Sequence, residues 1–271
     1  MPRTAAAEPG VRRPAVAGIF YPADPARLAA TVDRLLEAPP GTRDGRRPKA
    51  IVAPHAGYVY SGAVAAAAWA AARAAAPASP LARVVIAGPA HFVALRGACV
   101  PAARRWRVPT GEIEIEEELR DVAARAGARV DDRPHEPEHS LEVQLPFLLR
   151  IAPPGVRLLP IAVGESPSVA TAELLGRLGD GADLLVVSTD LSHEHEEAAA
   201  RRLDRRTIDA ILARNPDAID HRAACGLSAL RGLVELARQR DWPVRLIDRR
   251  TSADAGGPTD RVVGYAALAL G

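Results

Sequence analysis

Arg83-Val84-Val85-Ile86-Ala87-Gly88-Pro89-Ala90-His91 is the stretch whose reading decides the fold. Its apolar run is short and bounded by turn residues, and it does not alternate, so it reads as a strand buried on both faces. Runs of the same kind recur at Ala50 to Ala53, Arg157 to Val163, Leu184 to Ser188, Val244 to Ile247 and Val262 to Ala267. Helical patterns lie between many of them, at Gly62 to Ala76, Ser140 to Ile151, Ala170 to Leu178, Glu196 to Arg214 and Gly226 to Arg240. Strands alternating with helices predict a three-layer α/β/α sandwich. Val108 to Ile115 alternates like a short edge strand or hairpin, so the central sheet is expected to be mostly parallel or mixed.

Further out, Met1 to Val11 is small, polar and unpatterned and reads as a mobile tail. Residues 12–271 show no internal repeat and no dividing linker, so they are read as one α/β domain. Asp24-Pro25 starts a helix, since Asp24 can cap free N–H groups and Pro25 suits the first helical position. Leu28, Val32, Leu35 and Leu36 share one face of it, and Pro39-Pro40-Gly41 stops it.

Composition narrows the function classes. The 271 residues are 48% hydrophobic and 25% charged, within the globular range. Thirty-five basic and thirty-three acidic residues are interspersed, and aromatic content is 4%, which argues against a nucleic-acid partner. Cys99 and Cys225 are too few for a disulfide framework, and the N-terminal residues lack the apolar core of a signal peptide, so a cytoplasmic location is expected. The most apolar stretch, Gly62 to Ala76, is mostly alanine and carries Arg73, so no membrane span is expected.

The histidines carry the chemistry. His55 follows the run ending at Ala53, His91 the run quoted above, and His193 the segment Ser188-Thr189-Asp190-Leu191-Ser192. Loops at the carboxyl ends of strands form the ligand crevice of open α/β sheets. Three imidazoles in equivalent positions therefore favour a shared site over scattered loop histidines. Two imidazoles alone bind a transition metal weakly, so a third, anionic ligand is expected. Cys225 is the candidate, because Ala224-Cys225-Gly226 precedes a patterned helix whose N-terminus would lower a thiol pKa. An inert buried thiol is the alternative, and Cys99 reads as one. Asp190, three residues before His193, could orient that ring while it moves protons. Ser192 has no nucleophile elbow around it, so a hydrolase triad is rejected. His139 and Glu142 lie on one face of the helix opening at Glu138-His139-Ser140, where capping competes with a supporting role behind the ligands. His135, His195 and His221 are assigned no role.

Several segments in order resemble the MEMO family, whose bacterial and archaeal members are also called AmmeMemoRadiSam system protein B. They are Arg13 to Pro22, Pro54-His55-Ala56-Gly57-Tyr58 through Gly62, Gly88-Pro89-Ala90-His91, Glu138 to Phe147, Ser188 to His193, Ala224-Cys225-Gly226 and Val262 to Tyr265. The resemblance implies a fold like the catalytic subunit of class III extradiol dioxygenases, non-haem iron enzymes. It also implies His55, His91 and Cys225 as metal ligands, with Asp190 and His193 as the nearby catalytic pair. Thiolate in place of carboxylate favours Fe(II), Cu(I) or Zn(II), with Fe(II) first. Three functions follow: a redox protein with dioxygenase-like activity, a non-catalytic metal-binding or protein-interaction module, and a zinc hydrolase. The family name further implies AMMECR-like and radical-SAM partners, beside an unidentified small-molecule or peptide ligand. Glu194 stands where an aromatic residue often follows the histidine, and Leu227-Ser228-Ala229 replaces a more proline-containing stretch.

Overall fold

The structure, a computed structural model, describes residues 8–37, 47–73 and 80–271. Its strands are β1 (Val11–Arg12), β2 (Ala50–Ala53), β3 (Arg83–Pro89), β4 (Ala98–Val100), β5 (Arg105–Val108), β6 (Gly111–Ile115), β7 (Arg129–Val130), β8 (Arg157–Val163), β9 (Leu184–Ser188), β10 (His193–His195), β11 (Val244–Thr251) and β12 (Val262–Leu270). Its helices are α1 (Pro25–Glu37), α2 (Tyr58–Arg73), α3 (Glu117–Arg125), α4 (Leu145–Ile151), α5 (Ser168–Gly179), α6 (Glu197–Leu212) and α7 (Leu227–Gln239). One mixed sheet runs in the order β1-β5-β6-β8-β3-β9-β2-β12-β10, with β11 paired to β12 and β4 to both β7 and β8.

Four neighbouring strands at the centre, β8, β3, β9 and β2, are mutually parallel. Their side chains are buried almost throughout, which is why they appear in the sequence as unbroken apolar runs. Helices cover both faces. On one side α1, α2 and α4 pack together, with α2 against β2, β11 and β12; on the other, α5 packs against α3 and α7, and α7 against β3 and β9. In α2 the small side chains of Ala65 to Ala68 are all buried beside Val64 and Trp69, as suits a helix enclosed between a sheet and other helices. Helix α1 buries only Leu28, Val32 and Leu36, and Asp24 Oδ1 accepts the Arg27 N–H at 2.7 Å as its cap.

Several boundaries differ from expectation. The tail expected over residues 1–11 lies outside the described residues up to residue 7. Val11 is already ordered by pairing with Arg105, and Glu8 meets Arg105 and Arg107 in exposed ion pairs. The stop at Pro39-Pro40-Gly41 and the helix end after Arg73 also lie outside the described residues. The helix expected from Ser140 begins as a 3₁₀ turn, Glu142–Gln144, and becomes regular only at α4, where Pro146 occupies the first turn and needs no N–H partner. Residues 105 to 115 form a hairpin, and it provides antiparallel pairing beside the parallel core.

Candidate metal centre

Strands β3, β9 and β2 are adjacent and parallel, so their carboxyl ends reach the same edge of the sheet. His55 lies two residues beyond β2 and His91 two residues beyond β3, on either side of the end of β9. His139 joins them from the turn that precedes α4. Each of these three residues offers a ring nitrogen, and the three atoms lie within 4.8 Å of one another. The rings of His91 and His139 are stacked, 4.7 Å apart at 14°, and His55 stands edge-on to both. His55 is buried, while the side chains of His91 and His139 keep 28% and 15% exposure and open the site to solvent.

The hydrogen-bond chain behind His55 fixes its tautomer. Trp69 Nε1 donates to Gln144 Oε1 at 2.8 Å, so the Gln144 amide nitrogen faces Pro54 O and Ser188 Oγ, at 2.9 Å each. The Ser188 hydroxyl spends its one proton on Ser140 O at 2.6 Å. Toward His55 Nδ1, 3.1 Å away, Ser188 Oγ can only accept, so Nδ1 carries the proton. The Nε2 lone pair then faces the Cys225 thiol, with Sγ at 3.2 Å. Burial, followed by the nearby His91, lowers the His55 pKa to about 3, and burial, followed by His55, lowers His139 to about 4. Both rings are neutral at neutral pH, the form that ligates metal.

Cys225 is thus brought to the site through His55, although it is outside the group of three whose nitrogens converge. The helix start was expected to lower its pKa. Instead burial, then the neighbouring Asp190, pushes the thiol up to about 12, outweighing the hydrogen bonds from Thr189, Asp190 N and Gly226 N at the start of α7 that lower it. A bound metal ion would still deprotonate it.

Asp190 and His193 are close enough for the His193 ring to act on the Asp190 charge, but each makes its hydrogen bond to another partner. Asp190 Oδ1 accepts the backbone N–H of His55 at 2.7 Å, and burial raises its pKa. His193 is exposed, and its Nδ1 donates to Leu191 O at 2.8 Å, which leaves Nε2 as an acceptor. Glu194 beside it has a left-handed backbone, φ 63°, within the bulge that joins β10 to β12. Glu142, expected behind the ligands, serves a different segment. Fully buried, it accepts from Arg12, from Tyr21 Oη and from the N–H groups of Ala15 and Val16, and so fastens residues 12 to 21 to the core. That segment brings Phe20 to within 4.7 Å of the His139 ring. Phe92, itself exposed, faces the same ring at 5.9 Å.

Sequence reasoning missed Glu138. Its carboxylate accepts from the backbone N–H of His91 at 2.6 Å and from Ser140 N at 2.8 Å, and lies 2.9 Å from His91 Nδ1. Burial opposes the charge, but the hydrogen bonds from His91 and Ser140 outweigh it and hold the carboxyl down to about 2. The available signal was an acid directly before a histidine at a helix start, which capping explains equally well. Cys99 is buried as expected, and burial raises its thiol to about 11.

No helix among the described residues is long and apolar enough to cross a membrane. The family profile described as Memo-like protein matches residues 12–269. A MEMO1 family protein of Aquifex aeolicus is 34% identical, covering 94% of this chain and 97% of the relative. One from Caldivirga maquilingensis is 32% identical over 96% and 98% of the two chains. The crystal structure of an uncharacterized protein from Escherichia coli shares the fold at a TM-score of 0.52 and 16% identity, covering 81% of this chain and 99% of that one. With the profile spanning nearly all of the sequence and relatives matched end to end, the chain belongs to the Memo-like protein family.

Proposed function

We propose that this protein is a cytoplasmic, metal-dependent redox protein of the dioxygenase-like kind. Its centre would hold one transition-metal ion, Fe(II) in the first place, on His55 and His91 with Cys225 or His139 as third donor. The observation that carries this reading is the convergence of three imidazole nitrogens within 4.8 Å, at a strand-end crevice that opens to solvent past His91 and Phe92. Imidazole and thiolate are the donors that such ions prefer over Mg(II). When bound, the ion supplies Lewis acidity and redox capacity. Asp190 and Ser188 hold His55 in place, His193 offers a free Nε2 that can take up or return a proton, and Phe20 and Phe92 limit water around His139.

A second reading is a non-catalytic module for metal binding or protein interaction, with AMMECR-like and radical-SAM proteins as partners. The contact of Cys225 Sγ with His55 favours it, since a thiolate added to three imidazoles would close the coordination shell around Cu(I) or Zn(II). Elemental analysis of anaerobically purified wild type beside Cys225→Ser and His139→Ala tests both readings. Stoichiometric metal in wild type, weakened in one variant, identifies the third donor. Oxygen uptake by the Fe(II)-loaded protein with a catechol supports the redox reading; metal binding without turnover leaves the module, and failure to bind any metal overturns both.

A further inference from the structure

We infer that Glu138 is a positioning residue: one buried carboxylate that sets the ring tautomer of His91 and turns its Nε2 toward the shared centre. The inference rests on the metal-centre reading above and adds the device that aims one of its donors.

An ionised carboxylate only accepts hydrogen bonds, and its two oxygens have about four lone-pair directions. At Glu138 three N–H groups use them. Oε2 takes the His91 backbone N–H at 2.6 Å, and Oε1 takes Ser140 N at 2.8 Å and faces His91 Nδ1 at 2.9 Å. The side chain of this carboxylate is fully buried. A ring nitrogen facing such an acceptor must carry the proton, so Nε2 of His91 is the lone pair. The His139 ring stacks on His91 at 4.7 Å and 14°, and its Nδ1 lies 3.5 Å from Oε1, an electrostatic contact without a hydrogen bond. His55 reaches this tautomer through Ser188, a neutral partner; His91 reaches it through a full negative charge, which also makes Nε2 a stronger donor.

A merely structural Glu138 would cap the turn at Ser140 and nothing more. Two measurements separate the roles. The first is ¹⁵N-resolved NMR of the histidine rings in metal-free wild type near neutral pH, where His91 is expected as the Nδ1–H tautomer. An Nε2–H tautomer at His91 would overturn the inference. The second is Zn(II) affinity by chelator competition. Glu138→Gln keeps the size and one acceptor but loses the charge, and is expected to bind Zn(II) about tenfold or more weakly while the metal-free protein unfolds near the wild-type midpoint. Wild-type affinity in Glu138→Gln would overturn the inference. If that variant does not fold, the wild-type tautomer decides alone. The expected tautomer in a wild-type protein that binds no Zn(II) would uphold Glu138 as the setter of the His91 ring and overturn the metal-centre reading instead.

Discussion

His135 is a fully buried histidine whose two ring nitrogens find no hydrogen-bond partner among the described residues. It lies edge-on to Trp106, over which the Arg12 guanidinium stacks at 4.6 Å. Burial first, and the Arg12 charge second, lower its pKa to about 4. An unfolded histidine titrates near 6.5, so above that pH neither state holds the proton and stability is unaffected. As pH falls from there toward 4, the unfolded chain takes up a proton that the folded protein refuses, and stability drops. Between about pH 7 and pH 5 the difference is on the order of 2 kcal/mol. Urea unfolding at both pH values should show this loss in wild type, and His135→Leu should lose that much less. An equal pH dependence in the two proteins would show that His135 titrates normally in the fold. Since His135 is away from the three convergent imidazoles, this part of the acid sensitivity is independent of any metal.

At the scale of elements, the loop that carries Asp190 and His193 is held by β12 and α6. Leu191 N donates to Gly264 O and Gly264 N to Ser192 O, both at 2.8 Å, while Asp204 of α6 accepts the Ser192 N–H at 3.0 Å. The Asp204 carboxylate passes so close over Gly264 that a Cβ there would stand 1.9 Å from Oδ2. Gly264→Ala must therefore displace Asp204 and release the Ser192 N–H, at an expected cost of about 3 kcal/mol. A shift in the urea midpoint measures it, and a wild-type midpoint would mean that α6 yields without loss. Little of this arrangement could be read from the chain. The buried strands β2, β3, β8 and β9 were legible because helices on both faces demand unbroken apolar runs. Strands β1, β4, β7 and β10 have two or three residues each, too few to show a period, and the second half of β11 is Asp248-Arg249-Arg250, polar and half-buried. His55 and His91 were legible from their strand-end positions. Asp190 was assigned to its sequence neighbour His193, whereas its carboxylate bonds a residue 135 positions away, a partner that only the order of β9 beside β2 supplies.

Over the whole molecule, the candidate donors come from four separate stretches: the ends of β2 and β3, the turn before α4 and the residue before the cap of α7. The unfolded chain does not hold these side chains together, so an ion that binds them adds its binding free energy to folding. At free metal about a hundredfold above Kd the added stability is about 2.7 kcal/mol. For a domain of this size that raises Tm by about 5 °C. The apolar core enclosed by the two helical layers does not depend on the ion, so the metal-free protein should remain folded, with a lower Tm rather than a lost transition. Calorimetry with Zn(II) or, anaerobically, Fe(II) should show the rise in wild type and its reversal by chelator. His55→Ala should abolish it, because that ring is the one shared by the imidazole group and the Cys225 thiol. An equal rise in His55→Ala would place the bound ion elsewhere on the protein, and no rise in wild type at saturating metal would remove the metal centre from the account of this fold.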